Sequence, residues 1–132
     1  MSFRQFVAKY FGNHAETSER HEDPSLKTQY YKTTKDRGLD YLEKLFNNDE
    51  RYKVNAISRE HGEVSAYITK GKRAFIVGTV IMVRPYRTAI DFSVTTESGM
   101  PFDFGYSTKV IQQLYQQTGK ELTRLDEPNE RQ

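Results

Sequence analysis

Residues Ala74–Val83 read AFIVGTVIMV, the longest apolar run in the chain, and what this run becomes decides the fold. It falls well short of the ~18 residues that a membrane-spanning helix needs. It is rich in β-branched side chains and is bounded by KGKR (Lys70–Arg73) and RPYR (Arg84–Arg87), both of turn-forming composition. A long strand satisfies all three observations, and its near-continuous apolar character predicts a central position, covered on both faces for part of its length. Gly78 within it marks a bulge or a close backbone approach.

Working outward from this strand, Thr88–Thr96 alternates Ile90, Phe92 and Val94 with Asp91, Ser93 and Thr95, the pattern of a strand with one packed and one polar face. On the other side, Glu63–Thr69 alternates Val64, Ala66 and Ile68 with Glu63, Ser65 and Tyr67, and REHG joins it to Tyr52–Ser58 as a hairpin. Helical periodicity flanks these strands. LDYLEKLF places Leu39, Leu42, Leu45 and Phe46 on one face after a cap at Thr34 or Asp36, and KVIQQLY places Val110, Ile111, Leu114 and Tyr115 on one face before Thr118 and Gly119. Helix, strands and helix in that order predict an α+β fold: a four-stranded antiparallel meander with two helices packed on one face.

The ends read differently. Phe3, Phe6, Val7, Tyr10 and Phe11 recur at helical spacing with Arg4 and Lys9 interleaved, which predicts a short basic amphipathic helix over residues 1–12. Residues 13–25, NHAETSERHEDPS, lack apolar periodicity and carry mixed charge and a proline, the composition of a flexible linker. The single domain is then expected over 26–125, with a disordered tail over 126–132.

With 132 residues, no cysteine, and 20 Lys and Arg against 18 Asp and Glu, the chain fits one domain, excludes disulfide and thiolate chemistry, and carries no strongly electropositive field. A reducing cytoplasm is the default location. His14 and His21 with Glu16, Glu19, Glu22 and Asp23 lie in the polar tract, where loose geometry argues against a metal site. Phosphate-binding glycine loops, zinc spacings and nucleophile elbows are absent from the sequence, so no cofactor and no enzymatic activity are expected.

The stretch GMPFDFGYS (Gly99–Ser107) joins the last strand to the last helix. Backbone needs explain most of it: two glycines for positive φ, Pro101 before the helix, and Ser107 as an N-cap. A ligand-binding reading instead puts Asp103 in a pocket lined by Phe102, Phe104 and Tyr106, between sheet and helices. At this loop the chain resembles a family of uncharacterised bacterial cytosolic proteins, through TTESG, DFG and KVIQQLY in its latter half. It departs from that pattern in lacking a basic residue before the first Gly and an Asn after the second. The resemblance implies a bacterial cytosolic domain and no particular activity.

Three functional readings follow. The first is a non-enzymatic interaction module that engages a protein or an anionic membrane surface through Phe3, Phe6, Val7, Tyr10 and Phe11. The second is the small-ligand domain around Phe102, Asp103, Phe104 and Tyr106. The third is a nucleic-acid binder using Arg84, Tyr86 and Arg87, which the near-neutral charge disfavours.

Overall fold

A computed structural model of the chain describes residues 14–97 and 105–125. The predicted N-terminal helix over 1–12, the tail over 126–132, and Phe102, Asp103 and Phe104 lie outside the described residues.

The described residues form an α+β fold with two α-helices and one antiparallel sheet. The elements are β1 (His14–Glu16), a 3₁₀ turn (Pro24–Leu26), β2 (Gln29–Tyr31), α1 (Lys35–Asn48), β3 (Tyr52–Ser58), β4 (Glu63–Ile68), β5 (Ala74–Arg84), β6 (Arg87–Thr96), α2 (Tyr106–Glu121) and β7 (Arg124–Leu125). Strands β3 to β6 pair in succession, and β2 and then β7 follow β6, with β1 also on β6. The sheet therefore has seven strands among the described residues, not the expected four.

Of the three additional strands, β1 comes from the stretch expected to be a linker, and β2 and β7 come from the two ends of the expected domain. His14, Ala15 and Glu16 pair with Thr95, Val94 and Ser93, and Gln29, Tyr30 and Tyr31 pair with Ile90, Ala89 and Thr88. Strands β1 and β2 are thus two halves of one strand along β6, interrupted where residues 18–27 leave the ladder. Thr17 bridges the interruption: its N–H donates to Phe92 O at 2.9 Å and its hydroxyl accepts from Phe92 N at 3.0 Å. The loop closes on itself through Ser18 N–H to Leu26 O and Thr28 N–H to Ser18 O, both 3.1 Å. Ala15, Thr17 and Leu26 are buried, so the domain begins by His14 rather than at residue 26. Local polarity hid this, because one alanine and one leucine carry the anchoring.

Both helices cover the same sheet face. Leu39, Leu42 and Phe46 of α1 and Val110, Ile111, Leu114 and Tyr115 of α2 join Val64, Ala66, Ile76, Val80, Ile90, Phe92 and Val94 in one core. Each fully buried Leu or Phe contributes about 1.5–3 kcal/mol of transfer free energy. Thr34 caps α1, its hydroxyl accepting from Arg37 N at 3.2 Å. Gly105, at φ 81°, and not Ser107 occupies the N-cap of α2, and Ser107 is buried in the first turn. Gly119 lies inside α2, which continues to Glu121.

Gly78 is a close approach. A Cβ there would sit 2.8 Å from Leu42 Cδ1 and 3.4 Å from Phe92 Cε1, so α1 crosses β5 where the strand has no side chain. Along β5 burial alternates from Ala74 to Val80, so the strand is fully covered on the helix side only, correcting the expectation of cover on both faces. From Ile81 to Arg84 it is exposed throughout.

Candidate functional site

The exposed end of β5 follows from where its neighbours stop. Strand β4 begins at Glu63, opposite Thr79, and Val80 N–H makes the next bond, to Gly62 O at 2.7 Å. Gly62 is needed there: its φ is 69°, and a Cβ would meet Val80 O at 2.5 Å. Beyond Val80 no described strand pairs with the outer edge of β5. On the far side β2 ends at Tyr31, opposite Thr88. The β5–β6 hairpin therefore runs past β4 by about 13 Å, at ~3.3 Å per residue for the four residues after Val80, whereas on the inner side β2 accompanies it as far as Thr88, opposite Met82.

This projection is apolar. Ile81, Met82, Val83 and Tyr86 are 54%, 44%, 58% and 58% exposed, and they are four of the six large exposed hydrophobic residues among those described. Alternation sends Ile81 to the open sheet face and Met82 to the helix side, so both faces of the hairpin end are apolar. The register shifts between Met82 and Arg84, which places a bulge at Val83 before Arg84 pairs with Arg87. Tyr86 has φ 58°, in the left-handed region where a turn of this kind ordinarily carries Gly or Asn.

Cations lie at the tip of the projection and beside it. Arg84 and Arg87 close the hairpin, Lys32 follows β2, and Arg124 on β7 pairs with Tyr31. The Arg87 guanidinium lies 4.7 Å from the centroid of the Tyr30 ring, a cation–π contact that holds it against the sheet. Burial pushes the Tyr30 hydroxyl up to about 12. No acid occurs between Val80 and Ile90; Glu63, opposite Thr79, lies beside the hairpin's base, and Glu19 and Asp91 are near enough to Tyr30 to raise its hydroxyl further.

The structure thus sets Arg87 against Tyr30, with Arg84 and Tyr86 in the same hairpin, but Tyr30 is only 5% exposed and Tyr31 is fully buried, so neither tyrosine contributes much surface. Lys70, Lys72 and Arg73 lie at the opposite end of β5, as the pairing of Ala74 with Thr96 requires. Sequence reasoning took Arg84 to Arg87 as a turn but missed Ile81, Met82 and Val83, because an apolar run carries no mark of where its neighbouring strands end.

Tyr106, the described member of the expected ligand site, is half-buried, donates its hydroxyl to Lys72 O at 2.9 Å and has the Lys72 ammonium 5.3 Å from its ring centroid. The cavity beside it, lined by Arg51, Tyr52, Ile68, Lys70, Val110 and Gln113, measures about 50 Å³. Ligand pockets usually exceed ~300 Å³. A cleft of about 390 Å³ lies between α1 and α2, lined by Tyr41, Lys44, Leu45, Asn48, Gln117 and Lys120, among others. Gln117 Oε1 and the Tyr41 hydroxyl are buried there without a hydrogen-bond partner among the described residues. Burial raises the Tyr41 hydroxyl, and Thr118 lies close enough to offset part of that rise without a well-formed bond.

A third polar cluster sits where β1 gives way to β2. Asp91 Oδ1 accepts from Thr17 Oγ1 and Thr28 Oγ1, each at 2.6 Å. Burial raises its carboxyl above the ordinary value, the two threonines pull it down, and the nearby Glu19 and Glu16 push it up. The arrangement fastens both ends of the 18–27 loop to β6. Among the described residues no group of three His, Asp or Glu is placed to hold a metal ion; His14 faces Thr95 and Glu16, and His21 Nδ1 accepts from Asp23 N–H. No described helix is long and apolar enough to cross a membrane. Neither a protein-family model nor a characterised protein matches the sequence.

Proposed function

We propose that this chain is a non-enzymatic interaction module whose contact surface is the projecting end of the β5–β6 hairpin. One observation carries the reading. Four large apolar side chains are held in solvent at one end of the molecule, and one of them, Tyr86, occupies a backbone conformation that glycine adopts at lower cost. Exposed apolar residues scattered singly need no explanation, whereas a cluster ringed by arginines marks a contact site. The basic amphipathic stretch with Phe3, Phe6, Val7, Tyr10 and Phe11 is the second contact element of this reading, joined to the domain at His14.

The test is native mass spectrometry of protein purified without refolding, combined with a photo-crosslinking residue at position 86 and, as control, at exposed Lys70. The module reading expects a clean apo mass and crosslinks from position 86 that exceed those from position 70. Equal crosslinking from both positions overturns it. A retained small molecule that is lost on Gln117→Leu substitution favours a small-ligand function instead, at a site other than the Asp103 loop: the cleft between α1 and α2 where the buried Gln117 and Tyr41 oxygens lie.

A further inference from the structure

The hairpin end has a shape that narrows its partner. Ile81 and Met82 point to opposite faces, both exposed, and Val83 and Tyr86 lie at the bulge and the turn. A protein groove or an added strand would cover one face or one edge and leave the other apolar face in water. Immersion covers all of them together. We infer that the β5–β6 hairpin inserts into the headgroup and upper acyl region of an anionic lipid surface, an inference that rests on the interaction-module reading.

The dimensions and charges agree with this. Interfacial elements bury their apolar parts ~5–10 Å deep, and β5 runs far enough past β4 to reach that depth along its free outer edge, while β2 and β7 accompany the inner side of the hairpin only to the level of Thr88. Arg84 and Arg87 then flank the inserted turn, with Lys32 and Arg124 set back on the inner side beside Thr88, and each cation near an anionic leaflet strengthens binding about fivefold. Tyr86, with an apolar ring and a polar hydroxyl, suits the boundary between headgroups and chains. The Arg84 stem can lie along the apolar tip while its guanidinium group reaches phosphate, whereas Arg87 is held against Tyr30. Insertion stays shallow, because the unpaired outer edge of β5 keeps its backbone groups solvated only near the surface.

The test is co-sedimentation of the full chain with phosphatidylcholine vesicles, with and without about 30% phosphatidylserine. The inference expects binding to the anionic vesicles that weakens as salt rises from about 0.05 M to about 0.5 M. It expects Arg84→Ala to lower the partition coefficient about fivefold and Val83→Asp to lower it further, with unchanged far-UV circular dichroism and melting. Because both positions are exposed, loss of fold does not confuse the result. Absence of vesicle binding, or binding that Phe6→Asp abolishes and Val83→Asp leaves intact, overturns the lipid inference. If vesicles do not bind but position 86 still crosslinks to a protein or an RNA, the lipid inference fails and the interaction-module reading stands.

Discussion

Replacing Tyr86 with glycine separates contact function from stability. A non-glycine residue in the left-handed region costs about 1–2 kcal/mol, and Tyr86 sits there at φ 58°. Glycine removes that strain but adds freedom to the unfolded chain, which offsets about 0.5–1 kcal/mol. Tyr86 is 58% exposed, so little burial is lost with its ring. The balance is a net stabilisation of about 0.5 kcal/mol, or about 2 °C in Tm for a chain of this size. Urea unfolding followed by far-UV circular dichroism measures it, with an unchanged m-value as the sign that the unfolded state is comparable. Vesicle binding by the same variant falls. A destabilisation of more than about 0.5 kcal/mol would refute the reasoning, since the ring would then be holding the turn in place and the strained backbone would owe nothing to contact.

Other perturbations test the remaining structure. Gly78→Ala drives a Cβ to 2.8 Å from Leu42 Cδ1 and destabilises by about 1–3 kcal/mol; in a Leu42→Ala background the same change costs measurably less, and a double-mutant cycle that shows simple additivity refutes the close approach. Asp91 has a raised carboxyl value, so the folded state holds its proton more tightly than the unfolded state. The stability this group contributes is full below the ordinary carboxylate value and is lost as pH rises through the raised folded value. The stability of Asp91→Asn relative to wild type therefore grows as pH rises from about 4, the ordinary carboxylate value, and a difference that shrinks as pH rises in urea titrations contradicts the assignment. Removal of residues 1–12 leaves a cooperative unfolding transition, whereas removal of residues 1–24 takes away β1, Ala15 and Thr17 and abolishes it or lowers its midpoint sharply.

The contrast between those two truncations shows where sequence reading stopped. Residues 39–46 and 109–115 announce helices because several apolar side chains repeat at one spacing, and Thr88–Thr96 announces a strand because alternation continues over its whole length. Residues 14–16 are too few to show a period. They become a strand because β6 offers an unpaired edge, a requirement of the partner and not of the segment itself. Tyr30 and Tyr31 are adjacent and alike in sequence, yet the pleat sets one ring against Arg87 and the other in the core.

The sequence by itself determined the α+β class, the apolar faces of both helices, the identity of the long strand and the turn at Pro85. These are local, since side-chain periodicity and backbone preference act within a few residues. Only the tertiary structure decided the width of the sheet, the splitting of its edge strand around the 18–27 loop, and the stretch of β5 that runs on without a neighbour. Those depend on where separate strands begin and end relative to one another. The same apolar run is core as far as Val80, beneath the helices and beside β4, and surface from Ile81 onward, because burial is a property of what lies across the sheet.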